Sequence, residues 1–164
     1  MDKKSSIGIA VLTVSDTRTK ETDKSGGTII QKAEAAGHQI EDYKICVDEK
    51  EEITDIVKKW SKNATIEAII ITGGSGIGKR DITIEAVTPL FSKIIDGFGE
   101  LFRFLSYTED VGSKALLSRA TAGAIEEKVL FALPGSSKAV ELAMDKLILP
   151  ELHHIVHELT KHLR

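Results

Sequence analysis

Two stretches constrain this chain more than any others. Residues 7–14 (Ile-Gly-Ile-Ala-Val-Leu-Thr-Val) and residues 68–72 (Ala-Ile-Ile-Ile-Thr) are nearly continuous β-branched runs without polar alternation. Alternation marks a strand with one wet face. Its absence implies strands covered on both faces, as in a parallel sheet held between helices. Elsewhere the apolar period lengthens to that of a helix. Residues 25–36 carry Ile29, Ile30, Ala33 and Ala36 at helical spacing, and Gly37 is placed to close the helix in a left-handed conformation. Residues 38–47 read as a second strand, less apolar and so nearer an edge. Ile53, Ile56, Val57 and Trp60 then form one helical stripe, with Asp48 placed to cap it. Helical signals recur at residues 83–90 and 98–105. Residues 122–125 and 129–132 flank Glu126-Glu127-Lys128 as paired strands. Pro134-Gly135-Ser136 turns into an amphipathic helix over 139–147, and Pro150 opens a last helix to about Lys161.

This alternation, with no repeat, low-complexity tract or linker, predicts an α/β fold. The expectation is a single three-layer αβα domain over residues 1–164, with a mostly parallel sheet and a small antiparallel pair. Ligands of such sheets sit outside the carboxyl ends of the strands, which nominates the loops at 15–18, 73–81 and 134–136.

Composition narrows the function. No run approaches the roughly 18 apolar residues of a membrane span. The first residues, Met1-Asp-Lys-Lys-Ser-Ser6, lead into a segment too short and too β-like for a signal sequence, with no small-residue cleavage site. No export is expected, and the cytoplasm is the predicted compartment. Net charge is −3, with basic residues scattered among acids, which argues against nucleic acid or an anionic membrane as partner. Cys46 is the only cysteine, so no disulfide can form within the chain; following Ile45 in a strand, it reads as a small buried hydrophobe.

The most informative segment is Thr72-Gly-Gly-Ser-Gly-Ile-Gly-Lys-Arg-Asp81. Residues 73–79 fit the first seven positions of GxxxxGK, but Arg80 stands where a Ser or Thr hydroxyl should hold magnesium. A dinucleotide fingerprint fails as well, because one residue is missing between Gly76 and Gly78. Four glycines in six residues exceed what a plain turn needs, and they let backbone amides approach an anion closely. Asp81 fits either as an N-cap for the next helix, through the amide of Thr83 or Ile84, or as a hard oxygen ligand for Mg²⁺ near phosphates.

Six segments, in order, resemble the MoaB/MogA family of molybdopterin adenylyltransferases: Leu12-Thr-Val-Ser-Asp-Thr-Arg18, Thr72-Gly-Gly-Ser-Gly76, Arg80-Asp-Ile-Thr-Ile-Glu-Ala86, Gly97-Phe-Gly-Glu-Leu-Phe-Arg103, Leu117-Ser-Arg-Ala-Thr-Ala-Gly123 and Leu133-Pro-Gly-Ser136. They span nearly the whole chain. The resemblance implies the molybdopterin-binding fold and a homo-oligomer, a hexamer first and a trimer as the alternative. It also implies transfer of an adenylyl group from Mg-ATP to the terminal phosphate of molybdopterin, with release of pyrophosphate. Asp48 and Asp81 match the family's metal-binding and catalytic aspartates. Gly73, Gly74, Ser75 and Gly76 match its phosphate cradle, Ser118 and Arg119 its pterin side, and Gly135 and Ser136 the far wall. Ser15 follows the first strand at the same edge. Ser75 stands where Thr is usual, and Ile84 and Asp96 stand where the MogA branch commonly has Pro. The last two point to the MoaB branch, in which a non-catalytic pterin-binding scaffold is the alternative function.

Two other clusters have ordinary readings. His153 and His157 are four apart on the last helix, but no HExxH pattern accompanies them and a solvated or interface face is the simpler reading. Phe98, Leu101, Phe102, Phe104 and Leu105 are more apolar than one helix face requires, which sets core packing against a subunit contact.

Overall fold

In the computed structural model, which describes residues 6–163, the long apolar runs form the middle of one sheet. The segment 1–5, where no export signal was expected, lies outside the described residues. Six strands run in the order β2-β1-β3-β6-β5-β4. They are β1 (Gly8–Val14), β2 (Gln39–Cys46), β3 (Ala68–Thr72), β4 (Lys93–Ile94), β5 (Thr121–Ile125) and β6 (Lys128–Leu133). β2, β1, β3 and β6 are parallel, whereas β5 and β4 continue the sheet antiparallel. Every residue of β1 and β3 is buried, as unbroken apolar strands covered from both sides should be. β2 alternates and lies at the edge.

Helices cover both faces. On one, α1 (Lys24–Ala35), α4 (Asp96–Glu109), α5 (Ser137–Ala143) and α6 (Leu149–Thr160) pack on Ile9, Val11, Ile70 and Phe131 through Ile29, Phe98, Phe102, Val140 and Leu152. On the other, α2 (Lys50–Ser61) and α3 (Thr83–Val87) cover Leu12, Ile69 and Ile71 through Ile53, Val57, Trp60 and Val87. Gly37 does adopt a positive φ, +92°, just beyond α1.

The expected pair at 122–125 and 129–132 forms as an antiparallel hairpin, and it joins the main sheet with β6 beside β3. Several other local expectations are corrected. β4 is an addition: two exposed residues paired with Gly123 and Ala124, too short to leave a periodic signal. Pro150 does not open a separate helix. α5 runs through a π-helical segment, Met144–Ile148, into α6 without a break. Proline lacks an N–H and its ring crowds the carbonyl four residues back, and a widened turn relieves both. Asp48 does not cap α2: the N-cap position is Glu49, with no side-chain cap bond. Asp81 does not cap α3 either. The Thr83 amide is satisfied by the Gly74 carbonyl at 2.9 Å, and the Asp81 carboxylate turns back to accept from the Gly78 N–H at 2.9 Å.

Candidate functional site

The chain leaves β1 toward β2 on one side and later places β3 on the other, so a crevice opens where their connections diverge. A cleft of about 260 Å³ lies there, at the carboxyl ends of the parallel strands. Thr13, Val14 and Thr72 supply strand ends; residues 15–18, Gly73 and Gly74 supply loops; Asp48, Asp81, Ser25 and Gly135 complete the wall. All three nominated loops therefore contribute to it.

Local chemistry explains why the strands end as they do. Gly73 has φ +101°, and a Cβ there would stand 2.3 Å from the Val14 carbonyl oxygen. Gly74 has φ +68°, and its missing Cβ would meet Thr83 Oγ1 at 2.4 Å and Asp48 Oδ1 at 2.9 Å. Only glycine allows β3 to turn this tightly while Asp48 lies against the loop. Ser15 Oγ accepts from the amides of Thr17 and Arg18, closing the first loop into a turn.

The site is rich in carboxylates. Burial, then repulsion from Asp16 and Asp81, pushes the Asp48 carboxyl above its ordinary range. Asp16 moves the opposite way, chiefly because Arg80 donates to it through Nε (3.1 Å) and Nη2 (2.9 Å), with the Asp48 amide adding a third bond at 3.0 Å. Arg80 also reaches Glu49 at 3.1 Å, so one guanidinium ties the glycine loop to the loops after β1 and β2. Among the described residues no three or more His, Cys, Asp or Glu converge as a ready-made metal cage. Asp48 and Asp81 are instead a two-carboxylate set of hard oxygens. Magnesium commonly takes one or two protein carboxylates and completes its shell with substrate phosphates and water, so these residues fit that ion.

Ser15, Gly73, Gly74, Gly135, Asp48 and Asp81 line the cleft; Ser75, Gly76, Ser118, Arg119 and Ser136 do not. Ser136 is an N-cap whose hydroxyl accepts from the Ala139 amide at 3.2 Å. Ser118 follows a 3₁₀ turn over Gly112–Leu117. The guanidinium of Arg119 turns onto the glycine loop and Glu85 rather than into the cleft.

Sequence reading missed the buried carboxylate that holds Thr13 of the cleft wall. Asp23, 5% exposed, accepts from Thr13 Oγ1 at 2.6 Å, from the Tyr43 hydroxyl and from the Gly26 amide at 3.0 Å, capping α1. Burial alone would raise its carboxyl, but these bonds outweigh that and leave it below the usual range. The local signal was Asp23 three residues ahead of Gly26, an N-cap spacing; the partners Thr13 and Tyr43 are remote in sequence. Cys46 is nearly buried, and that burial, reinforced by Glu52 and Asp48, pushes its thiol up to about 12. In the last helix, His153 stands 5.0 Å from the ring of His38, while His154 pairs with Glu151.

The comparisons agree with this architecture. Residues 10–154 match the model of a family described as a probable molybdopterin binding domain. The chain is 56% identical over 154 residues to molybdenum cofactor biosynthesis protein B of Staphylococcus aureus (strain MRSA252), covering 93% of this chain and 91% of that one. It is also 56% identical over 151 residues to the protein of the same name from Bacillus subtilis, covering 92% and 89%. A crystal structure of molybdenum cofactor biosynthesis protein B superposes with a TM-score of 0.95 at 50% identity, over 98% of this chain and 99% of that one. The tungsten cofactor synthesizing protein MoaB of Pyrococcus furiosus superposes with a TM-score of 0.84 at 38% identity, over 95% and 98%. Sheet order, cleft and sequence together make this chain a member of the MoaB/MogA family of molybdenum cofactor biosynthesis proteins.

Proposed function

We propose that this protein adenylylates molybdopterin, consuming ATP and releasing pyrophosphate. The observation that carries the reading is the meeting of Asp48 and Asp81 beside the glycine loop, with the Asp48 carboxyl raised by burial and then by repulsion from Asp16 and Asp81. Such a pair calls for a cation. Asp48 and Asp81 would hold Mg²⁺, which when bound supplies positive charge to the ATP phosphates.

The terminal phosphate oxygen of molybdopterin attacks the α-phosphorus of ATP. The bond from that phosphorus to the β-bridging oxygen breaks, and its electron pair leaves with pyrophosphate. The attacking group belongs to the substrate, so no protein nucleophile is required. The chain's part is to bind, align and stabilise charge. The amides of the glycine loop cradle phosphate, Arg18 adds a cation at the mouth, and Gly135 lets the far wall approach closely. Catalysis in the cytoplasm suits a chain whose one cysteine is buried and free.

A homo-oligomer, hexameric or trimeric, belongs to the same proposal. Leu101, Phe104, Tyr107 and Leu116 are exposed around α4, and a largely apolar groove of about 380 Å³ lies between Phe104 and Leu116. A second copy of this chain is the occupant proposed for it.

Incubation of the purified protein with Mg-ATP and molybdopterin, following pyrophosphate and the adenylylated product, tests the reaction. Turnover that falls by on the order of 100-fold or more in Asp81→Ala supports it. Tight pterin binding without turnover replaces it with the scaffold reading favoured by Ile84 and Asp96.

A further inference from the structure

The carbonyls of Gly73, Gly74, Ser75 and Gly76 in the glycine loop are held from the protein side. Thr83 Oγ1 donates to the Gly73 oxygen at 2.8 Å, and the Thr83 amide to the Gly74 oxygen at 2.9 Å. Arg119 takes the next two: Nε reaches the Ser75 oxygen at 3.1 Å and the Gly76 oxygen at 3.0 Å, and Nη2 reaches Gly76 at 2.7 Å. The rest of the guanidinium is gripped by Glu85, through Nη1 to Oε2 at 2.6 Å and Nη2 to Oε1 at 3.1 Å. Among the described residues, by contrast, the amides of Gly74, Ser75, Gly76 and Ile77 meet no protein acceptor. In a trans peptide the N–H points away from the C=O. Fixing the Ser75 and Gly76 oxygens on Arg119 therefore turns the Gly76 and Ile77 amides to the opposite side of the loop. Successive amides turned one way form an anion-binding concavity.

We propose that Arg119, locked by Glu85, is a positioning residue that keeps these amides directed at a bound polyphosphate and does not itself touch that phosphate. Of the five guanidinium hydrogens, four are already engaged by Ser75, Gly76 and Glu85. The identity of the anion rests on the adenylyltransferase reading; the brace does not. The device needs a planar fork that binds two carbonyls and a carboxylate at once, which lysine cannot supply.

The test uses Arg119→Lys, Glu85→Gln and the double variant in the full chain. Amide hydrogen exchange across residues 74–77 and titration with magnesium and inorganic pyrophosphate are read beside the thermal midpoint. The expected result is faster exchange and about tenfold weaker pyrophosphate binding in each single variant, with an unchanged midpoint. The double variant falls no further than the worse single one, because both substitutions release one clamp. Exchange unchanged in both single variants overturns the proposal, as does weak binding in Arg119→Lys with normal binding in Glu85→Gln, the pattern of direct phosphate contact. Should Arg119→Lys fail to fold, Glu85→Gln decides by itself, since its side chain is 53% exposed. Faster exchange in the variants, with no turnover in the wild type, would sink the adenylyltransferase reading and leave the brace standing.

Discussion

Asp48 carries a cost in the folded chain. A carboxyl raised on folding is a less favourable anion in the native state than in the unfolded one. It therefore subtracts from stability at neutral pH, and the penalty fades as pH falls through its native value toward the ordinary aspartate value of about 3.9. Asp48→Asn should accordingly raise the urea midpoint at pH 7, with the gain disappearing near pH 4, while turnover is lost. Magnesium should stabilise the wild type and not the variant, by mass action on the native state alone. A variant less stable than wild type at pH 7 would show that Asp48 contributes to the fold rather than drawing on it. The candidacy of Asp48 and Asp81 came from the family resemblance, Asp81 within a matched segment and Asp48 after the second strand. Their bonding was not legible, since each looked like a helix cap, whereas Glu49 takes the N-cap position of α2 and the Thr83 amide bonds the Gly74 carbonyl.

At the scale of the element, α4 shows what a count of apolar residues leaves open. Phe98, Leu101, Phe102, Phe104 and Leu105 fall within eight residues, and helical rotation divides them. Phe102 is fully buried against the sheet and stacks with Phe98 at 6.3 Å, whereas Phe104 is 61% exposed. Phe102→Ala should cost about 3–5 kcal/mol in denaturant unfolding, from lost burial plus the cavity left behind. Phe104→Ala should cost less than about 0.5 kcal/mol in the isolated subunit. Equal costs would mean that the two faces are wrongly divided. The continuous helix from α5 through α6 teaches the complementary point. Proline is a sound start signal, yet packing of Val140, Met144, Ile148 and Leu152 on one core favours continuation, and a π segment resolves the conflict.

For the whole molecule, the exposed face of α4 and its neighbouring 3₁₀ turn carry the oligomer proposal. Leu116 is 83% exposed in the single chain, and with Leu101, Phe104 and Tyr107 it forms an apolar surface that water solvates poorly. Light scattering should find a hexamer or trimer for the wild type and monomers for Phe104→Glu/Leu116→Glu, because burying two carboxylates at a contact is strongly unfavourable. A monomeric wild type would remove the oligomer from the proposal. Among the described residues no helix is long and apolar enough to cross a membrane, so the apolar face of α4 is not part of a spanning segment.

Sequence alone determined the sheet's central strands, the helices that cover them and the strand ends where the cleft opens. Those properties follow from local periodicity and from glycine's freedom at positive φ, which operate over a few neighbouring residues. Tertiary structure alone decided which donors meet which acceptors: Thr13 and Tyr43 on Asp23, Arg80 on Asp16 and Glu49, and Arg119 on the glycine loop. A guanidinium or a carboxylate has many partners of suitable chemistry along a chain. Only the folded geometry brings one of them within hydrogen-bonding distance.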